Sequence, residues 1–413
     1  MSVSSRAVLS NAIYRRLFMA QVVALIGTGF LTVALSLLAY DVAPDKAGTV
    51  VATVLTIKMA AYVGIAPITT AVVSRFNPRS VLLGANLVRA AVAISLPWVD
   101  DVWQIYLLIF LLQSASATFT PAFQAVIPSV LPDERQYTRA LALTRLAHDV
   151  ESIISPMLSA ALLLVISYHG LFVGTTVGFV LSAVLVVASQ LDTPPRAAGR
   201  SFWARATDGA RLFMSRPPLR ALLALHVSVA SGTALVLVNT VVVVRHSFGM
   251  AESAVAVTLG AYGAGSMIVA LCVPRVLEHV RDRTVMLAGG ILTPCGLVLA
   301  AAASSNERLW PALLLVWMFL GASASLVLTP SGLIVNQNVS EAERPAAFAA
   351  HFSLSHACFL LIYPLAGWAG ARVGVPGSAL ILGTVAVFAT VTAIILWTRV
   401  SRHNRQDVRP TPR

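Results

Sequence analysis

Apolar runs long enough to cross a lipid bilayer recur from one end of this chain to the other. "LFMAQVVALIGTGFLTVALSLLAY", "ALLLVWMFLGASASLVL" and "ALILGTVAVFATVTAIILW" are examples. A spanning helix needs about 20 such residues, and inside lipid its backbone must satisfy its own hydrogen bonds. Of the 413 residues, 57% are hydrophobic and 11% charged, against about 25% charged in a soluble protein. The pattern predicts an all-α integral membrane protein with about twelve transmembrane helices. They are expected near 17–40, 47–73, 80–99, 103–128, 138–167, 170–190, 219–244, 253–277, 284–304, 309–335, 346–370 and 376–398.

The stretch 191–218, "LDTPPRAAGRSFWARATDGARLFMSRPP", is the longest polar interruption. It divides the chain into an N-terminal half (1–190), a cytoplasmic linker (191–218), a C-terminal half (219–398) and a cytoplasmic tail (399–413). The linker is expected to be partly an amphipathic helix lying on the membrane. The opening "MSVSSRAVLSNAIYRRLF" does not read as a cleavable signal, because the apolar segment after it exceeds the ~7–15 residues of a signal core.

Positive charge sets the expected orientation. Of the 29 Lys and Arg, 22 fall in the termini, the linker and alternate loops, four fall in the other loops, and Lys58, Arg89 and Arg145 lie inside spans. Both termini are therefore expected in the cytoplasm, in the inner (plasma) membrane. The excess of +12 is then membrane orientation and attraction to anionic lipid, not nucleic-acid binding. Cys272, Cys295 and Cys358 have neither disulfide nor zinc spacing and read as small core residues. No nucleotide-binding motif occurs, so an energy source would be a gradient.

The two halves repeat. Gly27-Thr28 matches Gly232-Thr233 at an offset of 205, "RSVLLGA" at 79 matches "RTVMLAG" at 283, and "SASATFTPA" at 114 matches "SASLVLTPS" at 323. His148 and Pro156 match His356 and Pro364 at 208. A six-plus-six repeat with parallel halves is the layout of one large transporter family.

At this point the chain resembles the major facilitator superfamily, closest to the drug/proton antiporter subgroup that includes macrolide-efflux and siderophore-export proteins. "TPAFQAVIPSVLP" at 120–132 is similar to that subgroup's fourth-helix ending. "TAVVSRFNPRSVLL" matches the family's loop between helices 2 and 3: Arg75 and Arg79 are kept, while Ser74 stands where the family has an acid. "SPMLSA" matches the fifth-helix antiporter motif with Pro156 kept and its glycines replaced by Ser or Ala. The resemblance implies the major facilitator fold. It also implies alternating access by a monomer without cofactor, exchanging protons for a small-molecule substrate across the lipid bilayer, and no enzymatic activity.

The fifth span holds "TRLAHDVESIISP", with Arg145, His148, Asp149 and Glu151 within seven residues. Intramembrane charge faces a cavity or a partner. Nine residues from Arg139 to His148 rise roughly 14 Å, near mid-bilayer. Arg145 and Asp149, at i and i+4, are expected to form a structural ion pair. Glu151, Asp149, His148 and His356 are the proton-coupling candidates. Gln21, Lys58, His226, Asn239 and His351 are the cavity or substrate candidates. The rings of His148 and His356 are expected to approach a central pathway from opposite halves. The alternative on the same fold is transport of a transition metal or its chelate, with His226, His148, His356, Cys358 and Met19 as borderline ligands.

Overall fold

The computed structural model describes residues 8–65, 76–131, 133–191, 202–340 and 343–406. The described residues are helices joined by short turns. In chain order they are α1 (Ala12–Val42), α2 (Ala47–Ala60), α3 (Pro78–Ser95), α4 (Val102–Val130), α5 (Glu134–Leu162) and α6 (Tyr168–Ala188). These are followed by α7 (Phe202–Ser215), α8 (Pro217–Val241), α9 (Glu252–Val276), α10 (Asp282–Ala303), α11 (Trp310–Leu328), α12 (Ser331–Gln337) and α13 (Arg344–Gln406). Among the described residues ten helices are long and apolar enough to cross a membrane. α5 falls outside that count because of its charges. α13 contains two expected spans, broken where Gly374 adopts φ 69° and ψ 176° just ahead of Pro376. Only glycine takes that left-handed conformation without steric cost.

Helix starts are written locally. The Asn11 side chain accepts from the backbone N–H of Ile13 and Tyr14 at 3.0 and 3.1 Å, capping α1. Asn77 accepts from Arg79 N–H at 2.9 Å with Pro78 as the first helical residue of α3. Asp101 and Gln104 form a capping box at α4, and Asp133 caps α5 through Gln136 N–H at 3.1 Å.

The described residues form two compact units, one within Met1–Phe202 and Val244–Gly260, the other within Trp203–Val243 and Ala261–Arg413. In the first, Tyr14, Leu17, Phe119, Phe123 and Ile127 build a buried cluster from α1 and α4. α1 and α6 meet closely at Gly27, whose carbonyl accepts from Thr175 Oγ1 at 2.9 Å. In the second, Phe213, Leu219, Leu225, Met286 and Trp397 form the corresponding cluster. The helix found inside the expected linker thus contributes Phe213 to a core. Close helix approach in this unit rests on Gly265 and Gly321, where an added Cβ would lie 1.8 Å from Met318 O and 1.9 Å from Tyr262 O. Small residues at such crossings let membrane helices pack without a hydrophobic driving force.

Large apolar side chains remain uncovered, among them Leu164, Val165, Leu361 and Phe388. In lipid this surface is solvated by acyl chains. The cysteine expectation is corrected here: Cys358 is buried, but Cys272 and Cys295 are exposed on α9 and α10. An apolar helix face offers a thiol the same low-polarity surroundings as a core, so hydropathy alone does not distinguish the two.

Candidate functional site

In the first unit the site begins at a contact between α1 and α5. A Cβ added to Gly29 would lie 2.0 Å from Ser155 Cβ, 2.2 Å from Ser155 Oγ and 2.8 Å from Glu151 Oε1. The absence of a side chain at Gly29 therefore lets α5 set Ser155 and the Glu151 carboxylate directly against the α1 backbone. The charge of Glu151 acts on the Lys58 ammonium of α2. One turn after Lys58, Tyr62 lies in the π-helical turn Ala61–Ile65, and its hydroxyl feels both Glu151 and Arg89. π-Turns inside α-helices frequently mark functional positions. α5, α2 and the π-helical turn after it thus contribute an acid, an amine and a phenol, and α1 offers the Gly29 backbone on which the acid rests.

Arg89 takes a different role. It is 4% exposed, and its guanidinium carbon lies 4.3 Å from the Phe119 ring centre and 4.6 Å from that of Phe179. Its Nη2 donates to Asn86 Oδ1, while Asn86 Nδ2 donates to Ser182 Oγ at 3.0 Å. The planar cation is sandwiched between aromatic faces and fastens α3 to α4 and α6.

The backbone of Arg145, His148, Asp149 and Pro156 belongs to α5, but their side chains lie outside the described residues, as does Arg75 altogether. Arg79 is half-buried and its Nη2 donates to Val187 O at 2.9 Å, tying the start of α3 to the end of α6. Gln21 is buried on α1.

In the second unit the structure joins two candidates that lie 125 residues apart. His226 on α8 and His351 on α13 face each other with Nε2 atoms 2.8 Å apart and ring centres 4.9 Å apart. They are 2% and 9% exposed. Phe213 of α7 lies parallel to the His351 ring, centre to centre 6.0 Å at 13°. His356 is placed differently: it is half-buried, its Nδ1 lies 2.7 Å from Phe352 O one turn back, and its ring rests on Phe352. The histidine of α13 that meets another histidine is His351.

Asn239 is 1% exposed near the end of α8, and neither amide atom has a partner among the described residues. A Cβ on Gly370 would lie 2.4 Å from its Oδ1. Sequence reasoning missed Tyr62 and the Thr233–Tyr262 hydroxyl contact at 2.8 Å. The internal repeat carried a signal for Tyr262, which stands 204 residues after Lys58, the same shift that relates Arg79 to Arg283. Among the described residues no three His, Cys, Asp or Glu side chains gather as a metal would require.

The sequence profile of the Major Facilitator Superfamily matches residues 17–242 and again 221–413. The chain belongs to that superfamily. Matching twice, once in each half, agrees with the internal repeat. The chain is 26% identical over 120 residues to the uncharacterized MFS-type transporter YfiS of Bacillus subtilis (strain 168), covering 29% of this chain and 28% of that protein. It is 26% identical over 135 residues to macrolide efflux protein A of Enterococcus faecalis, covering 32% of this chain and 42% of that protein. These matches therefore span less than half of the relatives' length.

Among solved structures, a bacterial homologue of the human lysosomal transporter Spinster superposes with TM-score 0.73 at 12% identity, covering 100% of both chains. The nucleoside transporter NupG gives 0.69 at 13% identity, covering 93% of this chain and 99% of that one. These likenesses establish the major facilitator fold. This superfamily member is a multi-pass membrane protein.

Proposed function

We propose that this transporter exports a small organic molecule, preferably a cation, in exchange for protons across the plasma membrane, with both termini in the cytoplasm. The observation that carries the reading is the Glu151 carboxylate, set by α5 against the Gly29 backbone and in the field of Lys58. An acid inside a membrane helix is costly to keep unless it is used. Ionised, Glu151 offsets Lys58 and attracts a cation. Protonated, it leaves Lys58 to repel one. Proton and cation then compete for one carboxylate, which is sufficient for exchange under alternating access. Similarity to macrolide efflux protein A over part of the chain supports the export direction.

The test uses everted vesicles and ethidium as the probe. Wild-type protein should accumulate ethidium on imposing an inside-acid gradient. Glu151→Gln should lose the gradient-driven component while keeping gradient-free exchange. Lys58→Met should weaken transport, and Lys58→Met with Glu151→Gln should restore expression better than transport. Full gradient-driven accumulation by Glu151→Gln would remove Glu151 from the coupling step.

A further inference from the structure

The buried histidines of the second unit have a chemistry that the exchange reading does not use. Two Nε2 atoms at 2.8 Å are within hydrogen-bond distance, so one ring donates and the other must offer a lone pair. The accepting ring is therefore neutral, with its proton on Nδ1. The donor ring has its Nε2–H in the contact, and its Nδ1 is the atom at which a further proton enters. That addition makes the donor an imidazolium and turns the contact into a charge-assisted hydrogen bond, the stronger kind. A second proton could enter only at the accepting Nε2. Two N–H groups would then point at each other, and the contact would break.

We propose that His226 and His351 form a proton-binding site of the second unit, which takes up one proton with its hydrogen bond intact and parts on taking a second.

The surroundings suit a single shared charge. The Phe213 ring lies parallel to His351, and aromatic faces stabilise a cation that has left water. Within two turns of either histidine or of Phe213 the chain carries Asp208, Arg211, Arg216, Arg220, Arg344, His356 and Cys358, and Glu343, one residue before α13, is paired with Arg216. Tyr262 stands across α8, bonded to Thr233. α11 and α12 carry no ionisable residue, and the carboxylates on the packed elements are Asp208 on α7 and Asp282 at the first turn of α10. The groups nearest along the chain are thus mostly basic, which opposes a second proton further. Because the rings stand on α8 and α13, their parting removes one buried side-chain tie between two helices that otherwise stay packed along their length.

The site deepens the exchange reading, on which the use of its proton during transport rests; the protonation itself does not depend on it. The deciding measurement is ¹⁵N NMR of histidine-labelled full-length protein in lipid nanodiscs, titrated from about pH 5 to 8, the range of imidazoles. In wild type, His226 and His351 should titrate as a pair in two steps. In His351→Gln the His226 midpoint should move by about 1 pH unit or more, the size of interaction that makes two groups titrate together. His226→Gln should do the same to His351. Independent single-step titration of both rings in wild type would overturn the proposal, whether or not the variants fold. So would a midpoint in either variant equal to that in wild type. If wild type shows paired titration but no proton-driven ethidium transport, the exchange reading fails and the proton site stands.

Discussion

Arg216, the residue before α8, holds both carboxylate oxygens of Glu343 at 3.1 and 3.0 Å while its other terminal nitrogen donates to Asn338 O. The contact fastens the start of α8 to the turn between α12 and α13. Its counterpart in the first unit is Asn11, whose Nδ2 donates to Val130 O at 3.2 Å, fastening the start of α1 to the end of α4. The same join is made once with a neutral amide and once with an ion pair.

Glu343 makes the second join sensitive to acid. The Ser340 backbone N–H, then the Ser340 hydroxyl, then Arg216 hold its carboxyl below the usual range. A carboxyl depressed on folding contributes stability above its unfolded value, and that contribution is lost as pH falls through the folded one. Glu343→Gln is expected to lower the melting midpoint slightly at neutral pH. It should also flatten the loss of stability on acidification below the ordinary carboxylate range. Melting curves in detergent at several pH values check this; parallel curves for variant and wild type would count against the join.

Gly29→Ala is expected to disrupt the α1–α5 contact. Its new methyl would fall 2.0 Å from Ser155 Cβ, and overpacking of this kind costs about 1–3 kcal/mol. Ser155→Gly in the same chain removes the opposing atom and should restore most of the loss. Thermal unfolding of the two single variants and the double measures that coupling directly.

Arg89 is fixed by planarity as much as by charge. Arg89→Lys keeps the charge but loses the flat faces that meet Phe119 and Phe179, at a cost of about 1–2 kcal/mol. Arg89→Met keeps much of the volume but removes the charge and leaves the buried Asn86 Oδ1 without its donor, a further cost of about 1–3 kcal/mol. The lysine variant should therefore unfold at a temperature between those of wild type and the methionine variant. A lysine variant less stable than the methionine variant would make planarity outweigh both charge and hydrogen bond.

Arg145 and Asp149 stand one turn apart on α5. If they pair there, Asp149→Asn alone leaves a buried cation and costs about 3–5 kcal/mol. Arg145→Gln with Asp149→Asn should express better than either single change. Expression and ethidium transport at wild-type level in both single variants would exclude a buried pair.

Much of the fold was legible in the chain. Continuous apolar runs determine where helices cross lipid, because a buried backbone has no other way to satisfy its polar groups. Asn11, Asn77 and Asp133 mark helix starts because capping is a contact between residues two or three apart. The repeat at offsets of 204 to 209 marks two related halves. The apolar run over 138–167 places an acid, Glu151, in the fifth helix of the first. What the sequence could not determine is which helix faces which. Periodicity fixes the direction of a side chain around its own axis, but not the neighbour that it meets. His356 was the symmetry mate of His148, yet His351 is the residue that meets His226, across 125 positions of chain. Glycine composition likewise gave no sign that Gly29 is the position that brings Glu151 and Ser155 against α1. Such contacts depend on helix crossing and depth of packing, which are set by the side chains of several helices at once and are recorded only in the tertiary structure.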